Sequence, residues 1–128
     1  MKANTFLAIA AIVTFLYALA FMLIPQQFLG IYGRTLDVDG LIMTRYFGSA
    51  LFGLAVLNWL FRNQVTRAVL IADLAVSVTG VVFSFFDALS GSGNAVVWTT
   101  PAVYILLTLG FGYFFFVGQE SPKLAVQG

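Results

Sequence analysis

The chain has 128 residues, of which 61% are hydrophobic and 9% charged, with a net charge of +1. A soluble domain carries about 25% charged residues, and a fold this small cannot cover its surface with so few charges. Cysteine and histidine are both absent, which excludes disulfides, ordinary zinc sites, iron–sulfur clusters and the usual haem ligand, and the charge balance offers no basic face for nucleic acid.

Four apolar stretches follow one another along the chain: Phe6–Ile24, Tyr46–Phe61, Ala68–Phe86 and Val96–Val117. A bilayer crossing needs roughly 20 apolar residues. The expected fold is therefore all-α: one integral membrane four-helix bundle over residues 1–128, with helices at about 5–24, 42–62, 67–86 and 96–117. Lys2 and the segment Ala18-Leu19-Ala20 resemble parts of a signal peptide. The apolar run nevertheless continues through Phe21-Met22-Leu23-Ile24 without a polar stretch, so it reads as the first transmembrane helix.

Pro25 closes the first span. In the loop Gln26–Gly40, Phe28, Leu29, Ile31 and Tyr32 form an apolar side at helical spacing, which suits a segment lying on the membrane surface; Gly30 and Gly33 weaken it. Helix two carries Ser49 and Gly53, a small-xxx-small pair beside Gly48. The short loop Arg62–Arg67 forces helices two and three into an antiparallel hairpin. Helix three presents Ala68, Ala72, Ala75 and Thr79 on one face. Lipid tails are as apolar as leucine, so helices associate through such small-residue seams rather than through hydrophobicity. The third loop, Asp87–Asn94, is rich in serine and glycine. Pro101 falls in the first turn of helix four, where its missing N–H costs little. That helix carries Phe111, Phe114, Phe115 and Phe116 nearly all the way round, so several of them face lipid, a lipophilic ligand or another subunit. A polar tail with Pro122 begins at Gly118.

Lys2, Arg62, Arg67 and Lys123 fall on one side of the membrane, and Arg34 and Arg45 on the other with Asp37, Asp39 and Asp87. The excess of basic residues on the side of the termini favours an N-in, C-in orientation. Tyr32, Tyr46 and Trp98 near one boundary, and Trp59 and Tyr113 near the other, suit the half-wet interface.

Within the spans, Asp73 stands out. It lies six residues past Arg67, about 9 Å into helix three at 1.5 Å per residue. An acid at that depth is buried, paired or neutral. Folding the hairpin about residues 64 and 65 brings it level with Asn58, its natural hydrogen-bond partner, and Tyr113 reaches a similar depth. Two readings stay open: an interhelical hydrogen bond that holds the bundle together, or a carboxylate that handles protons or cations. Arg45 is the second polar spot. The same folding places it near Ser84, one turn from Asp87. An Arg45–Asp87 pair would neutralise it; otherwise it snorkels or binds an anionic headgroup or carboxylate. Tyr17 and Tyr104 reach the same third of the bundle, enough for a small polar pocket.

No catalytic constellation is present. Gly48-Ser49-Ala50 is not a nucleophile elbow, Gly91-Ser92-Gly93 is not a phosphate loop, and Asp37 and Asp39 beside Arg34 make a poor calcium site. No cofactor is expected, although a bound lipid, quinone or carotenoid fits the composition.

The segment Arg45-Tyr46-Phe47-Gly48-Ser49-Ala50-Leu51-Phe52-Gly53-Leu54 resembles a pattern in the DoxX-like group of small four-helix bacterial membrane proteins. Shared features are a proline ending helix one, an arginine opening helix two and glycines one and two turns later. The resemblance covers about a third of the chain and implies an inner-membrane location and, in some relatives, an accessory role in a larger complex. The functional expectation is a non-enzymatic protein that packs against lipids and against other membrane subunits or copies of itself. The alternatives are a carrier of a lipophilic molecule, anchored by Arg45 or Asp73, and proton- or cation-coupled transport through Asp73.

Overall fold

A computed structural model of the protein describes the backbone of residues 1–120 and the side chains of residues 1–117; Pro122 and Lys123 lie outside the described residues. The described chain is helical, without strands, and runs α1 (Ala3–Leu23), α2 (Pro25–Ile31), α3 (Val38–Phe61), α4 (Arg67–Leu89), a 3-10 turn (Ala95–Trp98) and α5 (Thr99–Glu120). Four of these helices are long and apolar enough to cross a membrane: α1, α3, α4 and α5 with the turn before it. The extra element is α2. The residue before a proline is pushed out of the helical region, and Ile24 (φ −133°, ψ 49°) ends α1 there. Pro25 then occupies the first turn of the next helix, where its fixed φ is an advantage.

Side chains fix the helix starts. Asp37 accepts the Gly40 N–H at 2.7 Å and opens α3 four residues before the expected start, and Thr66 accepts the Val69 N–H at 3.3 Å to open α4. Such caps satisfy backbone donors that the first turn leaves free. At the link between α3 and α4, the Arg62 guanidinium lies 3.9 Å from the Trp59 ring centre.

The helices associate as two pairs. The α1–α3 and α4–α5 contacts dominate the molecule, and the two pairs touch little along their lengths. Gly48 explains the closeness of the first pair: a Cβ there would come within 3.1 Å of Met22, Phe21 and the Ala18 carbonyl. Gly80 does the same in the second, where a Cβ would lie 2.3 Å from the Tyr104 ring.

The two pairs join at their ends. At the end holding Lys2, Arg62 and Arg67, called basal here, Leu7, Ala10, Val65, Val69, Leu70 and Phe111 form the buried core. Phe6 closes it, lying edge-on to Phe111 at 5.0 Å and over Gly110. At the opposite rim, the Asn94 backbone N–H donates to the Tyr32 carbonyl and its side-chain amide donates to the Ile31 carbonyl, both at 3.0 Å. Gly33 and Gly93 lie on either side of this contact with φ of 72° and 85°, a region that side chains rarely adopt. Close by, Arg34 and Asp87 form an ion pair at 2.8 Å.

The small-residue seams on α3 and α4 do not make the contacts within the chain. Ser49, Gly53, Ala72 and Ala75 are exposed, as are Ala68 and Thr79, and nothing lies within 4 Å of a Cβ built on Gly53. The buried face of α3 is Gly48, Ala55 and Asn58; that of α4 includes Val69, Leu70, Asp73, Ser77 and Ser84.

Candidate functional site

Joining two helix pairs at their ends leaves space between them. A cavity of about 600 Å³ runs from the rim loops, beside Arg34, Asp87 and Gly93, down to Asn58, Asp73 and Phe111. Its volume lies within the range of small-molecule sites, about 300–1,000 Å³. All four long helices contribute: α1 through Tyr17 and Phe21, α3 through Phe47, Leu51 and Leu54, α4 through Val76 and Ser77, and α5 through Val103, Tyr104 and Leu107.

An aromatic cluster forms the rim side of the wall. Phe28 projects from α2 and meets Phe21 at 5.2 Å, Tyr17 at 5.7 Å and Tyr32 at 5.5 Å between ring centres. Edge-to-face geometry places the positive edge of one ring on the negative face of another, and the first two contacts are near perpendicular. The apolar side expected for this loop thus faces partly inward, where it fixes Tyr17 and Tyr32 against the cavity.

At the far end, the Asn58 amide nitrogen donates to Asp73 Oδ1 at 3.0 Å. The residues are 1% and 2% exposed, so this is a buried interhelical bond between the two pairs. The bond is the one anticipated from the hairpin geometry. Asn58 Oδ1 and Asp73 Oδ2 have no partner among the described residues, and both residues line the cavity. A buried polar atom without a partner costs about 1–3 kcal/mol.

Ser77 lies one turn beyond Asp73 on the same buried face and was not singled out in the sequence. Its hydroxyl donates to the Leu74 carbonyl at 3.3 Å. The signal is the spacing: Asp73, Ser77 and Ser84 fall at i, i+4 and i+11, a polar stripe along an otherwise apolar helix.

The remaining polar candidates separate. Arg45 does not pair with Asp87. It is exposed and borders a shallow depression with Pro25, Gln26, Leu36 and Asp37, while Asp87 pairs with Arg34. Folding a hairpin about its turn gives the height of each residue but not the direction in which its side chain points, and the wide spacing of α3 and α4 amplifies the error. Tyr113 is likewise outside the site, 59% exposed and edge-on to Phe114. Among the α5 phenylalanines, Phe111 is buried, Phe114 and Phe115 pack against the core and Phe116 is exposed.

Comparison with protein families, with characterised proteins and with solved structures returns no match for the chain.

Proposed function

We propose that the chain is a non-enzymatic membrane protein that holds a lipophilic molecule in the cavity between its two helix pairs. One observation carries this reading: an aromatic-walled space of about 600 Å³ ends on a buried Asn58–Asp73 pair whose two remaining oxygens lack partners among the described residues. A core held together only by an interhelical hydrogen bond has no need of such a space. The test is native mass spectrometry of the protein released from detergent. A lipophile should be retained by the unaltered protein and lost from Ser77→Phe, which puts a ring into the cavity. Recovery of both proteins free of any small molecule would overturn the reading.

A second reading, self-association or docking onto another membrane subunit, is supported by the outward position of Ser49, Gly53, Ala68, Ala72, Ala75 and Thr79. Small residues on the outside of a helix let a neighbouring helix approach closely. It is compatible with the first, since the seams and the cavity use opposite faces.

The proposed setting is a bacterial inner membrane with both termini in the cytoplasm. The basic excess at the basal end supports that orientation, and the likeness of residues 45–54 to DoxX-like proteins supports that membrane. The rim, with Arg34 and Asp87, then opens away from the cytoplasm.

A further inference from the structure

The closed end of the cavity offers mainly hydrogen-bond acceptors. The Asn58 amide gives one of its two N–H groups to Asp73 Oδ1, and among the described residues the Asn58 carbonyl oxygen and Asp73 Oδ2 have no partner. The Ser77 hydroxyl, on the same wall, gives its hydrogen to the Leu74 carbonyl and keeps its lone pairs. A carbonyl, the oxygen of an ionised carboxylate and a hydroxyl whose proton is engaged are all acceptors. Among the described residues the third buried polar atom without a partner, Arg67 Nε, is a donor, but Arg67 does not line the cavity. Among the described residues that line the cavity the cation is Arg34, which sits at the opposite end in its ion pair with Asp87.

Acceptors gathered around a buried carboxylate suit a cation that carries N–H groups. A quinone carbonyl, a phosphate or a fatty-acid carboxylate brings more lone pairs to a place that already has too many. A primary ammonium carries three N–H bonds and one positive charge, and charge-assisted bonds to a carboxylate are about twice as strong as neutral ones. The walls above, at Tyr17, Phe47 and Tyr104, offer aromatic faces, which attract cations, and apolar area for a tail.

Building on the reading of the cavity as a ligand site, we propose that its occupant is an amphipathic amine, its ammonium seated on Asp73, Asn58 and Ser77 and its apolar part lying along the aromatic wall toward the rim.

The test uses the full chain in lipid nanodiscs and four probes: dodecylammonium, dodecyltrimethylammonium, dodecanol and decylubiquinone. Binding is taken as the excess over identical discs holding Ser77→Phe, which removes the contribution of the lipid. Dodecylammonium should bind about tenfold or more tightly than dodecyltrimethylammonium, which has the same charge and tail but no N–H to donate. Asp73→Asn should lower dodecylammonium affinity by a similar factor, and by more than it lowers that of dodecanol, which carries no charge. Because the ranking of the probes does not use Asp73→Asn, it decides the matter even where that variant does not fold, and discs without protein serve as the reference where Ser77→Phe does not. Equal excess binding of all four probes, or a preference for decylubiquinone, would overturn the amine assignment while leaving the cavity as a lipophile site. No excess binding of any probe would overturn both.

Discussion

Asp73 and Asn58 are worth more together than apart. Each is almost wholly buried and each satisfies the other once. Asp73→Ala strands the Asn58 amide, and a stranded buried group costs about 1–3 kcal/mol. Thermal unfolding in detergent should show that loss. Replacing both residues by leucine removes the need for a partner, so the double variant should recover most of the lost stability while no longer holding the ligand. A double variant as unstable as Asp73→Ala would mean that the pair holds the fold together by more than mutual satisfaction. Gly80 is the second sensitive position. A methyl group there would sit 2.3 Å from the Tyr104 ring, and overpacking of this kind costs about 1–3 kcal/mol. Gly80→Ala should lower the unfolding temperature and change the fluorescence of a bound aromatic probe, because Tyr104 must move and it lines the cavity. The Asn58–Asp73 bond is legible in the sequence, since a lone acid in a span needs a partner at its own height. The partner of Asp87 was not, because Arg34 and Arg45 are both near the rim and only the path of the loop decides between them.

At the scale of the helices, the rim contact around Asn94 carries a sharp expectation. Gly93 has φ of 85°, and a Cβ there would lie 2.5 Å from the Tyr32 carbonyl oxygen. Gly93→Ala therefore combines backbone strain, about 1–3 kcal/mol, with a clash at the point where the third loop meets α2. Hydrogen exchange should show faster exchange at the Asn94 N–H, with the basal core little affected. Uniform destabilisation across the molecule would argue that the rim and the base are not independent. The same scale shows where sequence reasoning stops. The four spans follow from length and hydropathy. Their inward faces do not, because lipid and protein interior are equally apolar and periodicity has nothing to contrast. Ala68, Ala72, Ala75 and Thr79 form a plausible seam by spacing, yet they point outward. The true inner face of α4 is marked by Asp73, Ser77 and Ser84, the residues that cost most to expose to hydrocarbon. On α3 the corresponding mark is Asn58.

For the molecule as a whole, the proposed orientation can be read directly, because the chain has no cysteine to give background labelling. Single cysteines at Ser92 in the rim loop and Gln64 in the basal link should react oppositely with a membrane-impermeant maleimide on intact cells: Ser92→Cys labelled, Gln64→Cys protected until lysis. The reverse pattern would place the cavity mouth on the cytoplasmic side. The arrangement of the helices also bears on how the molecule is made. α1 and α3 precede α4 and α5 along the chain, and each pair packs chiefly within itself. The first hairpin can therefore be threaded and settled while the second is still being translated, with the five residues from Arg62 to Thr66 as the tether. The space between the pairs comes into being only at the final docking of one finished hairpin on the other, so a molecule already in the bilayer has the chance to be enclosed at birth.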